Sequence, residues 1–143
     1  MNRNFEIVDG IYLIHEDLKL DLHNNFDFKN LDYCVEKRKL VLNRLRSKQD
    51  LVSSDAPKAL SVEFSEVSEF RFLPRDSELP FTEDDCVNSF GYWLDEDWTA
   101  GVIILEPKQE AEYHWLTVID FMSSAVLAVL AMQAERANAT ITA

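Results

Sequence analysis

The stretch from Ala59 to Phe72 constrains the fold of this chain more than any other. Leu60, Val62 and Phe64 alternate with Ser61 and Glu63, the period of two that keeps one face of a strand dry and the other wet. Phe70 and Phe72 resume that alternation around Arg71. The steps from Phe64 to Val67 and from Val67 to Phe70 are three residues each, so a bulge or short bend must interrupt the ladder before the same face returns to the core. The stretch predicts a core strand pair or one bent strand.

The flanking segments fit antiparallel neighbours. Ile7, Ile11 and Leu13 surround Asp9-Gly10, a pair typical of a tight hairpin turn. Leu18, Leu20 and Leu22 alternate with Lys19 and Asp21, and Asn24-Asn25 supplies turn chemistry before Phe26 and Phe28. Residues 31–48 fit two patterns: a helix capped by Asn30, or a hairpin with Leu31, Tyr33 and Val35 on one strand, Glu36 to Lys39 at the turn, and Leu40, Leu42 and Arg44 on the return strand. Ser53 to Pro57 reads as a loop, and Pro74 and Pro80 exclude a regular element between Leu73 and Pro80. Cys86 to Leu94 predicts a strand with Gly91 as a bulge or a point of close approach; Val102 to Leu105 and Trp115 to Phe121 predict two more. Residues 123–136 are rich in helix formers, yet Met122-Ser123-Ser124 can equally turn one strand back as another.

The run Leu31 to Leu42, followed after a loop by Leu60 to Phe72, resembles small bacterial immunity-type and uncharacterised proteins in which a charged hairpin precedes a strand ending in an aromatic, a small or acidic pair and a valine. That resemblance implies an antiparallel β domain, the hairpin for residues 31–46, and a strand after Ser124; it brings no functional residue. The Ala-rich C-terminus departs from it. The expectation is a single mainly β domain over residues 1–143, an antiparallel sandwich or half-barrel, with a C-terminal helix as the alternative and a frayed tail from Asn138.

Charge bounds the function. Twenty-six acidic against fourteen basic side chains give a net charge of -12, which argues against nucleic acid and anionic membrane as partners and fits a basic protein partner or simply high solubility. Cys34 and Cys86 form no CxxC pair, the N-terminal residues hold no uninterrupted apolar region, and Phe121 to Ala134 is too short to span a bilayer; a reduced, cytoplasmic setting follows as the expectation. Lys37, Arg38, Lys39, Arg44, Arg46 and Lys48 make a basic patch, whereas residues 76–97 contain no basic side chain. Among those acids stand Phe81, Phe90, Tyr92, Trp93 and, just beyond, Trp98. Aromatic anchors inside a charged rim suit a protein interface, so Asp84, Asp85, Trp93, Asp95, Glu96, Asp97 and Trp98 are the candidate partner-binding residues; the alternative is that the acids solvate loops while the aromatics point into the core.

Catalytic motifs are missing: the chain has no GxSxG, Walker loop or HExxH, and only three glycines. His114 with Cys86 as a nucleophile pair, and His23 and Asp21 with Asp84 and Asp85 as a metal site, each need a coincidence of folding. The expectation is a non-enzymatic bacterial interaction protein without cofactor or metal, with immunity against a basic toxin as its specific form. Two alternatives stand beside it: a ligand-binding or enzymatic domain whose pocket gathers Tyr92, Trp93, His114 and Trp115, and a module that self-associates as a homodimer.

Overall fold

A computed structural model of the chain describes residues 2–48, 57–93, 102–105, 112 and 115–137. These form twelve strands and no α-helix: β1 Asn2–Arg3, β2 Glu6–Val8, β3 Tyr12–His15, β4 Leu18–Asp21, β5 Phe26–Cys34, β6 Lys39–Arg46, β7 Ala59–Ser65, β8 Glu69–Leu73, β9 Val87–Trp93, β10 Leu116–Phe121, β11 Val126–Leu130 and β12 Gln133–Ala137. They assemble into a five-stranded sheet of order β1-β12-β7-β6-β5, a four-stranded sheet of order β8-β11-β10-β9 and a three-stranded sheet β2-β3-β4. All pairings are antiparallel except the short β1–β12 contact, and the architecture is mainly β and sandwich-like.

The interruption after Phe64 is where the chain changes sheets. β7 pairs with β12 up to Ser65↔Gln133, and β8 pairs with β11 from Glu69↔Leu130, so Glu66-Val67-Ser68 oppose only Ala131-Met132. That extra residue is a bulge, with Glu66 in the left-handed region at φ 53°. The Val67 amide donates to the Arg38 carbonyl at 2.9 Å and the Ser68 amide to that of Leu130 at 2.9 Å, so the bend keeps its backbone groups satisfied. A two-stranded ribbon thus leaves one sheet and enters the other, and Leu60, Val62 and Phe64 share a core with Leu127 and Val129.

The hairpin reading of residues 31–46 holds: Tyr33↔Leu40 and Cys34↔Lys39 close β5 on β6 around Arg38 at φ 49°. The C-terminal helix is corrected to β11 and β12. Ala, Leu and Met favour a helix locally, but β11 lies in the four-stranded sheet with both faces buried. Leu127 and Val129 face the main core, while Ala128 sits with Trp93, Leu116 and Val118 in a second cluster on the other side. A strand dry on both faces loses its alternation and reads as a continuous apolar run, as a buried helix does.

The strand expected over Val102 to Leu105 is reduced to one bridge, Ile103↔Tyr92. Its amide and carbonyl pair with those of Tyr92 at 2.8 and 3.0 Å, while the Phe90 amide donates to Gly10 in the β2–β3 turn at 2.7 Å. The free edge of β9 is therefore covered. β5 and β8 end their sheets with no further strand among the described residues.

Candidate functional site

At the edges of β5 and β8 the two sheets leave a cleft of about 480 Å³. β5 has a bulge of its own, because Phe28 pairs with Arg44 and Asn30 with Asn43, leaving Lys29 unmatched. Successive residues of a regular strand point to opposite faces, but the bulge lets both Phe28 and Lys29 line the cleft. Phe72 of β8 faces them, and Phe121 backs both rings at centroid distances of 5.0 Å from Phe28 and 6.3 Å from Phe72.

The remaining wall is the connection from Pro74 to Asp85, which ends in a 3₁₀ turn over Phe81–Asp85. Its backbone is fixed to the β10–β11 turn: Asp76 donates to the Ser123 carbonyl at 2.7 Å, Ser123 to that of Glu83 at 3.2 Å, and Met122 to that of Cys86 at 2.8 Å. Arg75 fixes it from inside. Its guanidinium lies 4.7 Å from the Phe81 ring centroid, and its Nε donates to Asp84 at 2.7 Å. Its Nη2 donates to the carbonyls of Leu79 at 2.8 Å and Pro80 at 3.0 Å.

The two neighbouring carboxylates differ. A hydrogen bond from Arg75 holds the Asp84 carboxyl below its ordinary range. Partial burial, with Asp27 next, pushes Asp85 up, against a smaller opposing effect of Lys29. Asp85 has no hydrogen bond or ion pair to another described residue. A carboxyl raised by folding holds its proton more tightly in the folded chain, so its contribution to stability is present below the unfolded value of about 4 and lost as pH rises through the raised one. Asp85→Asn is therefore expected to raise the melting temperature at pH 7 by about 1–2 °C, a gain that vanishes below about pH 4, as thermal melts at both pH values would read.

Of the sequence candidates, the structure brings Asp84 and Asp85 to this cleft. Trp93 is only 6% exposed and packs against Leu116, Val118 and Ala128 on the outer face of the four-stranded sheet, so it does not stand on the surface beside them. Asp95, Glu96, Asp97, Trp98 and His114 lie outside the described residues. Tyr92 and Trp93, adjacent on one strand, pair with Thr117 and Leu116 and point to opposite faces, which keeps them from converging on one pocket. Tyr92 instead takes a hydrogen bond from Arg3 and lies 6.3 Å from the Trp115 ring. Phe28, Lys29, Phe72 and Arg75 were not among the sequence candidates; the available signal was Phe72 and Phe81 flanking a connection bounded by Pro74 and Pro80.

Cys86 meets His23, with Sγ 3.6 Å from Nδ1. That nitrogen lies 2.6 Å from the Val87 carbonyl, which can only accept, so Nδ1 carries the proton and cannot take one from the thiol. Burial pushes the thiol up, only partly offset by Arg44, and the pair lacks the features of an activated nucleophile. Asp21 is engaged by the amides of His23 and Asn24 in a turn, and among the described residues no group of three or more His, Cys, Asp or Glu could hold a metal ion. No described helix is long and apolar enough to cross a membrane.

The class the structure defines is thus a sandwich-like β protein with an aromatic cleft between two sheet edges, whose rim carries Asp84 and Asp85 beside Lys29 and Arg75. Comparison with known proteins finds no matching family model, no matching curated protein and no matching solved structure, so function is read from the cleft itself.

Proposed function

We propose that this chain is a non-enzymatic, cytoplasmic interaction protein that holds a basic protein partner on the cleft formed by Phe72, Phe81, Asp84 and Asp85. The observation that carries this reading is the exposure of Phe81, 81%, beside Phe72 at 49%. Leaving a phenylalanine in water forgoes about 1.5–3 kcal/mol of burial, and grouped exposed aromatics with a charged rim are the usual composition of a binding patch. The net charge of -12 would speed the approach of a basic partner. A basic bacterial toxin neutralised by this chain is the partner type favoured by that charge.

Affinity capture from cell lysate tests the reading, with wild type beside Phe81→Ala at low and at high salt. A single basic protein is expected on wild type at low salt, lost at high salt and reduced at least about tenfold on the variant. Equal retention by both would overturn the proposal. A second reading, a small apolar ligand, is favoured by the volume of about 480 Å³, within the range of drug-sized pockets.

A further inference from the structure

We infer that the cleft receives one lysine or arginine side chain from an extended basic segment of the partner, its aliphatic stem across Phe28, Phe72 and Phe81 and its charged head at Asp85. This rests on the interaction reading above and specifies what that partner inserts.

The cleft already shows how it holds a cation. Arg75 stacks on Phe81 and is met by Asp84 and two main-chain carbonyls, which accounts for the acceptors on its own side. Asp85 lines the same space with no such partner. Facing it are Asp27 and Glu83, which add negative charge, and Lys29 and Arg44, which oppose it. Lys29 forms no ion pair with Asp85 within 4.0 Å, and Arg44 spends its bonds on Leu22 and Phe26. A partly buried carboxylate beside apolar walls gains from a charge-assisted bond delivered by a group that also covers those walls. An anion would meet Asp85, while Arg75, one of the two cations of the lining, is already engaged by Asp84 and two carbonyls, leaving only Lys29 among the lining residues to receive it. A neutral apolar group would cover Asp85 and leave it unmatched, at a cost in desolvation. A long side chain with a charged tip satisfies both halves of the cleft, and Phe81 and Phe72 offer ring faces to the same charge.

The experiment is a titration of the ¹⁵N-labelled protein with four probes, followed at the backbone amides of Phe72, Phe81 and Asp85. The probes are a blocked pentapeptide with a central lysine between leucines and glycines, its arginine and norleucine counterparts, and n-butylammonium. The lysine or arginine peptide is expected to shift those amides and to bind at least about tenfold more tightly than the norleucine peptide and n-butylammonium. Asp85→Asn should remove that preference, and Lys29→Ala, which deletes the competing cation, should tighten the basic peptides roughly threefold. A melting temperature at or above that of wild type confirms that Asp85→Asn is folded.

Norleucine binding as well as lysine, or an unchanged preference in Asp85→Asn, would overturn the inference while leaving the interaction reading to stand on the Phe81→Ala capture. Binding of n-butylammonium equal to that of the basic peptides would overturn it in favour of a small-molecule site. Loss of the capture difference as well would remove both.

Discussion

Arg44→Ala is expected to lower the stability of this protein by about 3–4 kcal/mol, read as a shift of the urea midpoint at unchanged slope. Arg44 is 3% exposed, and its Nη2 donates to the carbonyls of Leu22 at 2.7 Å and Phe26 at 2.8 Å. Alanine leaves both acceptors buried without a donor and opens a cavity beneath the β4–β5 turn. A cost opposes this: burial lowers the Arg44 pKa to about 10, and its Nε finds no partner, so the charged form is penalised throughout the physiological range. Arg44→Met separates the two effects. It keeps most of the volume and removes the ionic penalty while still orphaning the carbonyls, so about half the loss is expected. Were alanine to cost under about 1 kcal/mol, water would be satisfying those carbonyls. The consequence reaches the cleft, since the turn held by Arg44 leads through Phe26 into Phe28, which lines it.

Arg44 also shows what a sequence conceals. It shares a parity with Leu40 and Leu42 on β6, and both leucines are buried, so alternation alone places it inward. Its charge instead grouped it with Lys37 to Lys39 as a surface patch, which the structure corrects. Lys39 does pair with one of the protein's own acids, lying 3.2 Å from Glu63. The bend after Phe64 was legible because an interrupted period of two has few physical causes. β11 was not, because burial on both its faces erases the pattern that separates strand from helix; β12 does alternate, with Ala134 and Arg136 buried and Gln133 and Glu135 exposed, but all four are helix formers. For the cleft, local charge located Asp84 and Asp85, since no basic residue occurs between 76 and 97. Their partners were hidden: Phe28 and Lys29 arrive from a strand some fifty residues away, and only a bulge turns both toward the same space.

The second large effect is expected at Gly91, where the close approach suggested by the sequence is realised. A Cβ there would stand 2.5 Å from the Ile103 carbonyl oxygen and 2.5 Å from Val102 Cγ1. Gly91 is not at a positive φ, so the conflict is steric and lies with the chain that crosses it. Gly91→Ala must push residues 102–105 away from β9, weakening the Tyr92–Ile103 bridge and lifting Val102 from the cluster that holds Trp93. A loss of about 2–3 kcal/mol is expected, together with a red shift of tryptophan emission as water reaches Trp93. Combining it with Val102→Ala should recover part of that loss, because the side-chain half of the clash disappears while the carbonyl half remains; the two changes should therefore cost less together than the sum of each alone. Additive costs would mean that the segment does not press on β9. An unshifted spectrum in Gly91→Ala would mean that Trp93 is covered by something other than Val102.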